Sequence, residues 1–163
     1  MKAGIAPRHH MTGFTLVELV ITLVLIGILS ALGIGLLVSP GAYTAGAARD
    51  QFVSSALLAQ KRALANAGED EVVALTVEQT NREWIFTVTQ DTAQYPERRA
   101  DRERATLTVN GSSLGDGDSR SFEFDRRGHL VAGNNVNLVF DGTSAHSACI
   151  SSLGFAYPEA CQP

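Results

Sequence analysis

Residues 13–29 of the chain read GFTLVELVITLVLIGIL, and this stretch decides how the rest of the sequence is interpreted. It opens an apolar run of 25 residues, positions 14–38, in which Glu18 is the one charged side chain. At about 1.5 Å per residue, the run predicts a helix of roughly 37 Å, which is long enough to cross a bilayer. A lone carboxylate inside such a helix costs about 2.5–3.5 kcal/mol, so Glu18 predicts a positively charged partner.

Gly13, followed by Phe14-Thr15-Leu16-Val17-Glu18 and an unbroken apolar helix, resembles the processing motif of type IV pilins and pseudopilins. The resemblance implies that a prepilin peptidase removes residues 1–13 by cutting between Gly13 and Phe14, and that the new amino group of Phe14 is methylated. It also implies that Glu18 pairs with the terminal amine of a neighbouring subunit. That amine would supply the cation that the buried carboxylate requires. Residues 14–38 would then form a transmembrane and assembly helix.

A secretory signal is the alternative interpretation of this amino-terminal region. Lys2 and Arg8 form a basic segment, and Ala45-Gly46-Ala47 is a small-residue cleavage site. The apolar core of a cleaved signal has only about 7–15 residues, however, and has no need of a carboxylate. A mature chain that begins at Ala48 would favour this alternative.

The length of the chain allows one folded domain beside the anchor. Removal of the leader leaves 150 residues, which accommodate the apolar helix and one domain of about 110–120 residues. The formal net charge changes from −4 to −6, so nothing in the overall charge favours nucleic acid as a partner. Since basic residues stay on the cytoplasmic side, Lys2 and Arg8 predict a single-pass inner-membrane protein with a periplasmic domain.

Residues 39–68 predict an amphipathic continuation of the helix. Ser39-Pro40-Gly41 interrupts the apolar run, and a proline removes one helix hydrogen bond, so we expect a kink or break there. Gly68 marks the expected end. The stripe expected to pack on a sheet contains Phe52, Val53, Ala56, Leu57, Gln60, Leu64 and Ala67.

Residues 69–163 alternate between apolar and polar side chains, which is typical of strands. Residues 73–77 and 84–89 predict a hairpin, and residues 91–104 are too polar for more than an exposed loop or an edge. Further strands are predicted at residues 105–109, 121–124, 129–131, 136–140 and 149–157. The fold class is therefore α+β, a long amino-terminal hydrophobic helix packed on a carboxy-terminal antiparallel β-domain.

The later part of the chain extends the resemblance. The helix that ends in AQKRAL, the hairpin around Trp84 and the segment FEFDRRG are similar to the domain of minor pseudopilin H and FimT-type minor pilins. The layout is most similar to a minor pilin of the mannose-sensitive haemagglutinin (MSHA) pilus. The resemblance implies a subunit for pilus biogenesis and attachment, which ends in an extracellular pilus. The alternatives are a type II secretion pseudopilin, which ends in a periplasmic pseudopilus, and a FimT-like subunit for DNA uptake.

Cys149 and Cys161 are the only cysteines, and in a periplasmic domain they predict one disulfide. Closing a loop of about a dozen residues stabilises a fold by around 3 kcal/mol in the chain-entropy estimate. Their spacing fits neither a redox pair nor a zinc site. The loop between them is expected to face a partner or to pack on the sheet.

No metal, cofactor or catalytic site is predicted. Asp116-Gly117-Asp118 suggests calcium, but Arg120 stands where a third oxygen ligand belongs and no glutamate follows at the required spacing. His129 and His146 lie in different segments without a recognisable nucleophile and base.

A basic cluster raises the question of DNA binding. It consists of Arg98, Arg99, Arg102 and Arg104. Glu97, Asp101 and Glu103 nearly cancel its charge, and Tyr95 is the one aromatic residue nearby for base stacking. A solvated loop of ion pairs is therefore the favoured interpretation, and no nucleic acid partner is predicted. The expected partners are other pilin subunits, the prepilin peptidase and the inner membrane.

Overall fold

In the computed structural model the chain divides into two compact units, Met1–Val38 and Ser39–Pro163, which are described separately. The structure describes residues 14–36, 40–65 and 72–162, and gives positions 31–36 and 40–42 by their backbone alone. The leader with Gly13, the predicted break at Ser39 and the predicted helix end at Gly68 lie outside the described residues.

The first unit contains helix α1, Leu16–Leu36. Thr15 precedes it and caps it, because its hydroxyl accepts the backbone N–H of Glu18 at 3.2 Å. The described side chains at positions 14–30 are all exposed. In the part of the chain that the structure describes, no helix is long and apolar enough to cross a membrane.

Helix α2, Pro40–Ala65, opens the second unit. Proline suits the first helical position, where its missing N–H leaves no bond unmade. The apolar residues of the buried face are small side chains and one ring: Ala45, Ala48, Phe52, Ala56, Ala59 and Ala63. The predicted stripe is partly wrong, because Leu64 is 57% exposed, whereas Val53 and Leu57 are partly buried and pack against the core. The alanine side chains allow the helix to approach the sheets closely. The larger Leu57 and Leu64 lie at the edge of this contact.

Among the described residues, ten strands follow α2, and every pairing between them is antiparallel. One sheet has the order β3-β2-β1-β7, with β4 also paired to β2, and the other has the order β10-β9-β8-β5-β6. The strands are β1 (Val73–Gln79), β2 (Glu83–Gln90), β3 (Ala93–Gln94), β4 (Arg98–Asp101), β5 (Thr106–Val109), β6 (Ser112–Ser113), β7 (Ser119–Phe124), β8 (Val136–Asp141), β9 (Ala145–Ile150) and β10 (Ala156–Tyr157).

The predicted α+β class and the predicted first hairpin are confirmed. Residues 91–104 contain the short strands β3 and β4, which both pair with β2. This agrees with the prediction of an edge for this segment. The predicted strand at 129–131 is reduced to one bridge between Phe124 and Leu130, because the chain turns away after it. The predicted strand at 149–157 is divided by a turn between β9 and β10.

The core lies where α2 meets both sheets. Phe52 places its ring 6.1 Å from Phe86 of one sheet and 6.1 Å from Phe140 of the other. Trp84 meets Phe140 edge to face at 5.2 Å, which joins the sheets directly. Such aromatic pairs contribute about 0.5–1.5 kcal/mol beyond the area they bury. One helix side chain therefore connects the two sheets.

Candidate functional site

The amino-terminal segment presents an apolar helix with a single carboxylate. Glu18 lies in the first turn of α1, where the positive end of the helix dipole favours a negative charge. No salt bridge joins it to any described residue. A helix that is apolar around its whole circumference requires other apolar surfaces to cover it. The pairing of Glu18 with the amine of Phe14 in a neighbour stays a prediction.

The carboxy-terminal loop is closed by a disulfide between Cys149 and Cys161. Cys149 is buried at the end of β9, and Cys161 donates its backbone N–H to Asn137 Oδ1 at 3.4 Å. The loop therefore begins and ends on the sheet that contains β8. Within it, Gly154 has φ +80°, a conformation that favours glycine, and donates its N–H to Ser151 O at 2.7 Å.

The disulfide loop is also fastened to α2. Gln60 Nε2 donates to Leu153 O at 3.1 Å and to Gly128 O at 3.4 Å. A Cβ on Gly154 would lie 1.7 Å from Gly128 O, so the two backbones approach as closely as glycine allows. Gln60 belongs to the predicted stripe, but its bridging role was not predicted. A polar residue within an apolar stripe indicates a polar contact, but which loops it contacts becomes visible only in the fold.

The outer surface of the disulfide loop is apolar. Leu153 is 62% exposed and Phe155 is 56% exposed. Phe155 stacks on Tyr157 with ring centroids 6.2 Å apart, so part of the loop packs on itself. Exposure on a docked loop favours the partner-facing alternative for Leu153 and Phe155, whereas Tyr157 belongs to β10 and pairs with Cys149 in the sheet.

Two of the four arginines in the basic cluster at residues 98–104, Arg99 and Arg102, are paired within the domain. Arg99 bonds to Glu97 at 2.8 Å and to Glu83 at 2.6 Å, and these two carboxylates raise the pKa of the guanidinium. Arg102 donates to Thr80 O at 2.8 Å and forms an ion pair with Asp116. These contacts favour the ion-pair interpretation over phosphate binding.

Tyr95 is equally unsuited to stack a base. The guanidinium of Arg62 lies 4.3 Å from its ring centroid, so one face of the ring is covered. Its hydroxyl donates to Gln90 Oε1 at 2.9 Å. The aromatic residue beside the basic cluster is therefore engaged within the domain.

The acidic loop at residues 116–118 forms local contacts. Asp116 pairs with Arg102, and Asp118 Oδ2 accepts the N–H of Gly115 at 2.9 Å. Among the described residues, no three His, Cys, Asp or Glu side chains converge as a metal site would require. The carboxylates act as turn residues.

His129 and His146 lie in different segments and bond to different partners. His146 Nε2 lies 2.8 Å from Ser144 Oγ, whereas the N–H of His129 is bonded to Asp125. Desolvation alone would raise the pKa of Asp125, but the N–H groups of His129 and Arg127 and the charge of Arg127 lower it. This turn stabilises the region where Gln60 and the disulfide loop meet.

Two comparisons match known proteins. Residues 8–34 match the family profile described as the prokaryotic N-terminal methylation motif. The fold is similar to the crystal structure of the type IV minor pilin FimU of Pseudomonas aeruginosa (strain PAO1), with a TM-score of 0.51 and 12% identity over 72% of this chain and 97% of that chain. At this identity the likeness shows the fold alone. No curated protein matches the sequence.

Proposed function

We propose that this chain, which carries the N-terminal methylation motif and a fold similar to that of a type IV minor pilin, is a minor pilin. It is a structural subunit rather than an enzyme, and it acts by joining an assembly of related subunits. The observation that carries the proposal is the position of the motif. It overlaps α1, whose described side chains are exposed and apolar apart from a few polar residues, and it precedes a pilin-like domain.

The amino terminus supplies the chemistry of assembly. Prepilin peptidase would cut between Gly13 and Phe14, and methylation of the new amine would follow. The amine of one subunit and Glu18 of the next are opposite charges in an apolar bundle, where leaving either unpaired is costly. Subunits would therefore be selected and aligned by this ion pair, while the apolar side chains of α1 pack between them.

Before assembly, the chain would reside in the inner membrane as a single-pass protein with a periplasmic domain. The basic leader residues Lys2 and Arg8 support this orientation. The disulfide between Cys149 and Cys161 supports an oxidising compartment for the domain. After assembly the domain would lie on the filament surface or at its tip.

We favour an MSHA-like pilus with a role in biogenesis and attachment. The docked disulfide loop with exposed Leu153 and Phe155 supports a pilus subunit that presents a surface to a partner. A minor pseudopilin of a type II secretion system is the alternative, because the motif and the fold are shared between the two kinds of filament. DNA uptake is less favoured, since Arg99 and Arg102 are bonded within the domain.

The test is to shear surface filaments from cells and to analyse them by mass spectrometry. We expect a mature peptide that begins at methylated Phe14, and a deletion strain that loses pili but still secretes exoproteins. A chain that remains in the inner membrane, together with failed secretion in the deletion strain, would instead identify a pseudopilin.

Processing provides a second test. Substitution of Gly13 by alanine or by a larger residue should block cleavage, because the peptidase cuts directly after this position. The measurement is the mass of the chain recovered from membranes, which should retain residues 1–13. Replacement of Ala3 by serine, within the leader but away from the cut, serves as the control and should leave the mature mass unchanged. A Gly13 variant with a normal mature mass contradicts the assigned site.

A further inference from the structure

β7 is an edge strand that pairs with β1 on one side. Along an antiparallel pair, alternate residues direct their N–H and C=O groups toward the partner strand or away from it. Val131 donates its N–H to Glu123 O at 2.9 Å, so Glu123 is one of the residues that face away from β1. Ser119 and Ser121 share this alternation. Their outward backbone groups have no hydrogen-bond partner in the described part of the chain.

The chain that could have covered this edge turns away from it. Gly133 donates its N–H to Leu130 O at 3.0 Å, and the turn leads residues 134–136 off toward β8. A groove of about 290 Å³ remains beside the edge. Its apolar lining consists of Phe122, Leu130, Val131, Ala132 and Val136. Val131 is 58% exposed, so an apolar side chain marks the mouth of the groove.

An open edge beside an apolar groove has the two features that strand addition uses. Backbone hydrogen bonds to the edge supply affinity, and a groove for an alternate side chain supplies specificity. Exposed edges also promote unwanted pairing, and proteins commonly cover or interrupt them. The edge at Ser119 and Ser121 is not covered by any described segment.

Charge limits what can occupy the edge. Arg120 and Glu123 form no ion pair with any described residue. In an entering antiparallel strand, the residue opposite Arg120 would favour a carboxylate. The residue opposite Ser121 lies on the same face as Glu123 and diagonal to it, so a lysine or arginine suits that position. The residue opposite Phe122 faces the groove and should be apolar.

A second copy of β7 does not meet these requirements. Val131 already occupies the position opposite Glu123, so two copies could pair only through their Ser119 and Ser121 backbones. Pairing Ser121 with Ser121 places Arg120 opposite Phe122 of the other copy, and pairing Ser121 with Ser119 places two Arg120 residues opposite each other. Neither of these registers brings a carboxylate to Arg120. Pairing Ser119 with Ser119 places Asp118 opposite Arg120, but it also places the charged Asp116 opposite the apolar Phe122.

We propose that β7 accepts an extended strand from a different subunit of the same filament. The strand runs antiparallel to β7 and presents an apolar, a basic and an acidic residue in succession. It adds to the sheet at Ser119 and Ser121, and it places its apolar residue against Phe122 and Val131. This inference rests on the proposed function, since it requires the chain to be a filament subunit.

The first test uses photo-crosslinking in cells that carry the full-length chain. A photoreactive phenylalanine analogue replaces Val131, and the same analogue at Val72, which is 47% exposed, is the matched control. We expect one adduct from position 131 in sheared filaments, joined to another processed subunit at an extended segment with the stated order of residues, and no such adduct from position 72.

Other results separate the two proposals. If the chain is present in the filaments and position 131 yields no adduct, an adduct with a second copy, or the same adducts as position 72, the strand-addition proposal is overturned. If the chain is absent from every filament, the proposed function fails, and this inference fails with it.

The second test changes the edge itself. Ser121→Pro removes the outward N–H at a position where an edge strand tolerates proline, whereas Ser121→Ala leaves the backbone unchanged. We expect at least a tenfold loss of filament incorporation for Ser121→Pro and none for Ser121→Ala. Oxidation of Cys149 and Cys161, measured by thiol alkylation, reports whether each variant is folded. If Ser121→Pro fails to form the disulfide, Arg120→Glu, a change at an exposed residue, is tested in its place. Normal filament incorporation of whichever of the two variants is folded overturns the proposal.

Discussion

At the scale of single residues, Gln79 shows how one buried polar side chain holds loops together. Its Oε1 accepts the indole N–H of Trp84 at 2.8 Å, and its Nε2 donates to Leu114 O. Its backbone N–H also bonds to Asp118 O at 2.9 Å. The end of the first hairpin is thereby fixed to residues 114–118, and every polar group of this buried residue has a partner.

Gln79→Leu should destabilise the fold by about 2 kcal/mol or more, because the indole N–H of Trp84 and Leu114 O would remain buried without partners. The measurement is denaturant unfolding of the purified full-length chain in detergent. Gln94→Leu is the control, since Gln94 is exposed and its side chain donates to the nearby Glu97. Equal midpoints for the two variants would contradict the role of Gln79.

The proposed role of Glu18 is to pair subunits during filament assembly. Glu18→Ala should leave insertion and cleavage intact but reduce recruitment into filaments about tenfold or more, since loss of ~1.4 kcal/mol already weakens an equilibrium tenfold. Glu18→Gln, which keeps the size and removes the charge, should fail in the same way. Thr22→Ala, a change at a polar residue of the same helix, should assemble normally. The readout is the amount of mature chain in sheared filaments, and normal amounts of Glu18→Ala would refute the pairing.

At the scale of elements, the disulfide loop, the turn at residues 125–129 and α2 form one junction. Gln60 reaches both loops, and Gly128 and Gly154 meet backbone to backbone. The disulfide fixes the ends of the loop, whereas these contacts fix its middle. The exposed side chains of the loop are therefore held in place before any partner arrives, which lowers the entropy that binding must overcome.

Gly154→Ala tests this junction. The new methyl group would meet Gly128 O and would also occupy a backbone with φ +80°, so we expect a loss of at least about 2 kcal/mol in stability. Gly133→Ala is matched to it, because Gly133 has φ +70° and open space around the added atom. The difference between their unfolding midpoints isolates the contact, and a difference near zero would show that the loops are not tightly docked.

The turn at Asp125 predicts a dependence on pH. Its pKa is lowered in the fold, so its contribution to stability is present above the unfolded value of about 3.9 and is lost as the pH falls through the lower folded value. The thermal midpoint of the wild type should therefore exceed that of Asp125→Asn at pH 6, and the gap should narrow below about pH 4. A gap that is constant from pH 3 to pH 6 would show that the charge of Asp125 does not matter.

At the scale of the whole molecule, the sequence predicts the class of the fold because periodicity is local. The change from an apolar run to alternating residues identifies where helices end and strands begin, and the hairpin of β1 and β2 follows from it. The assignment of strands to two sheets does not follow, because pairing such as β1 with β7 depends on contacts between distant segments. Local patterns contain no information about that choice.

The candidate site, like the fold, was predictable from the sequence only in part. The processing motif and the two cysteines are visible as residue types at fixed positions, and the disulfide is present. The bridging role of Gln60 and the open edge at Ser121 are visible only after folding, because each depends on which loops lie nearby. The buried face of α2 differs in part from the predicted stripe for a related reason. Alanine contributes little to the hydrophobicity of a predicted stripe, yet it permits the closest packing of a helix on a sheet.

The aromatic contacts of Phe52 have a consequence for the order in which the domain is made. Phe52 lies in the first element of the second unit, whereas Phe140, one of the rings around it, lies in β8. A chain exported from its amino end presents α2 long before that ring emerges, so the part of the helix face that packs on β8 stays bare until late in translocation. Any truncation before residue 140 should therefore leave an aggregation-prone fragment rather than a smaller folded domain.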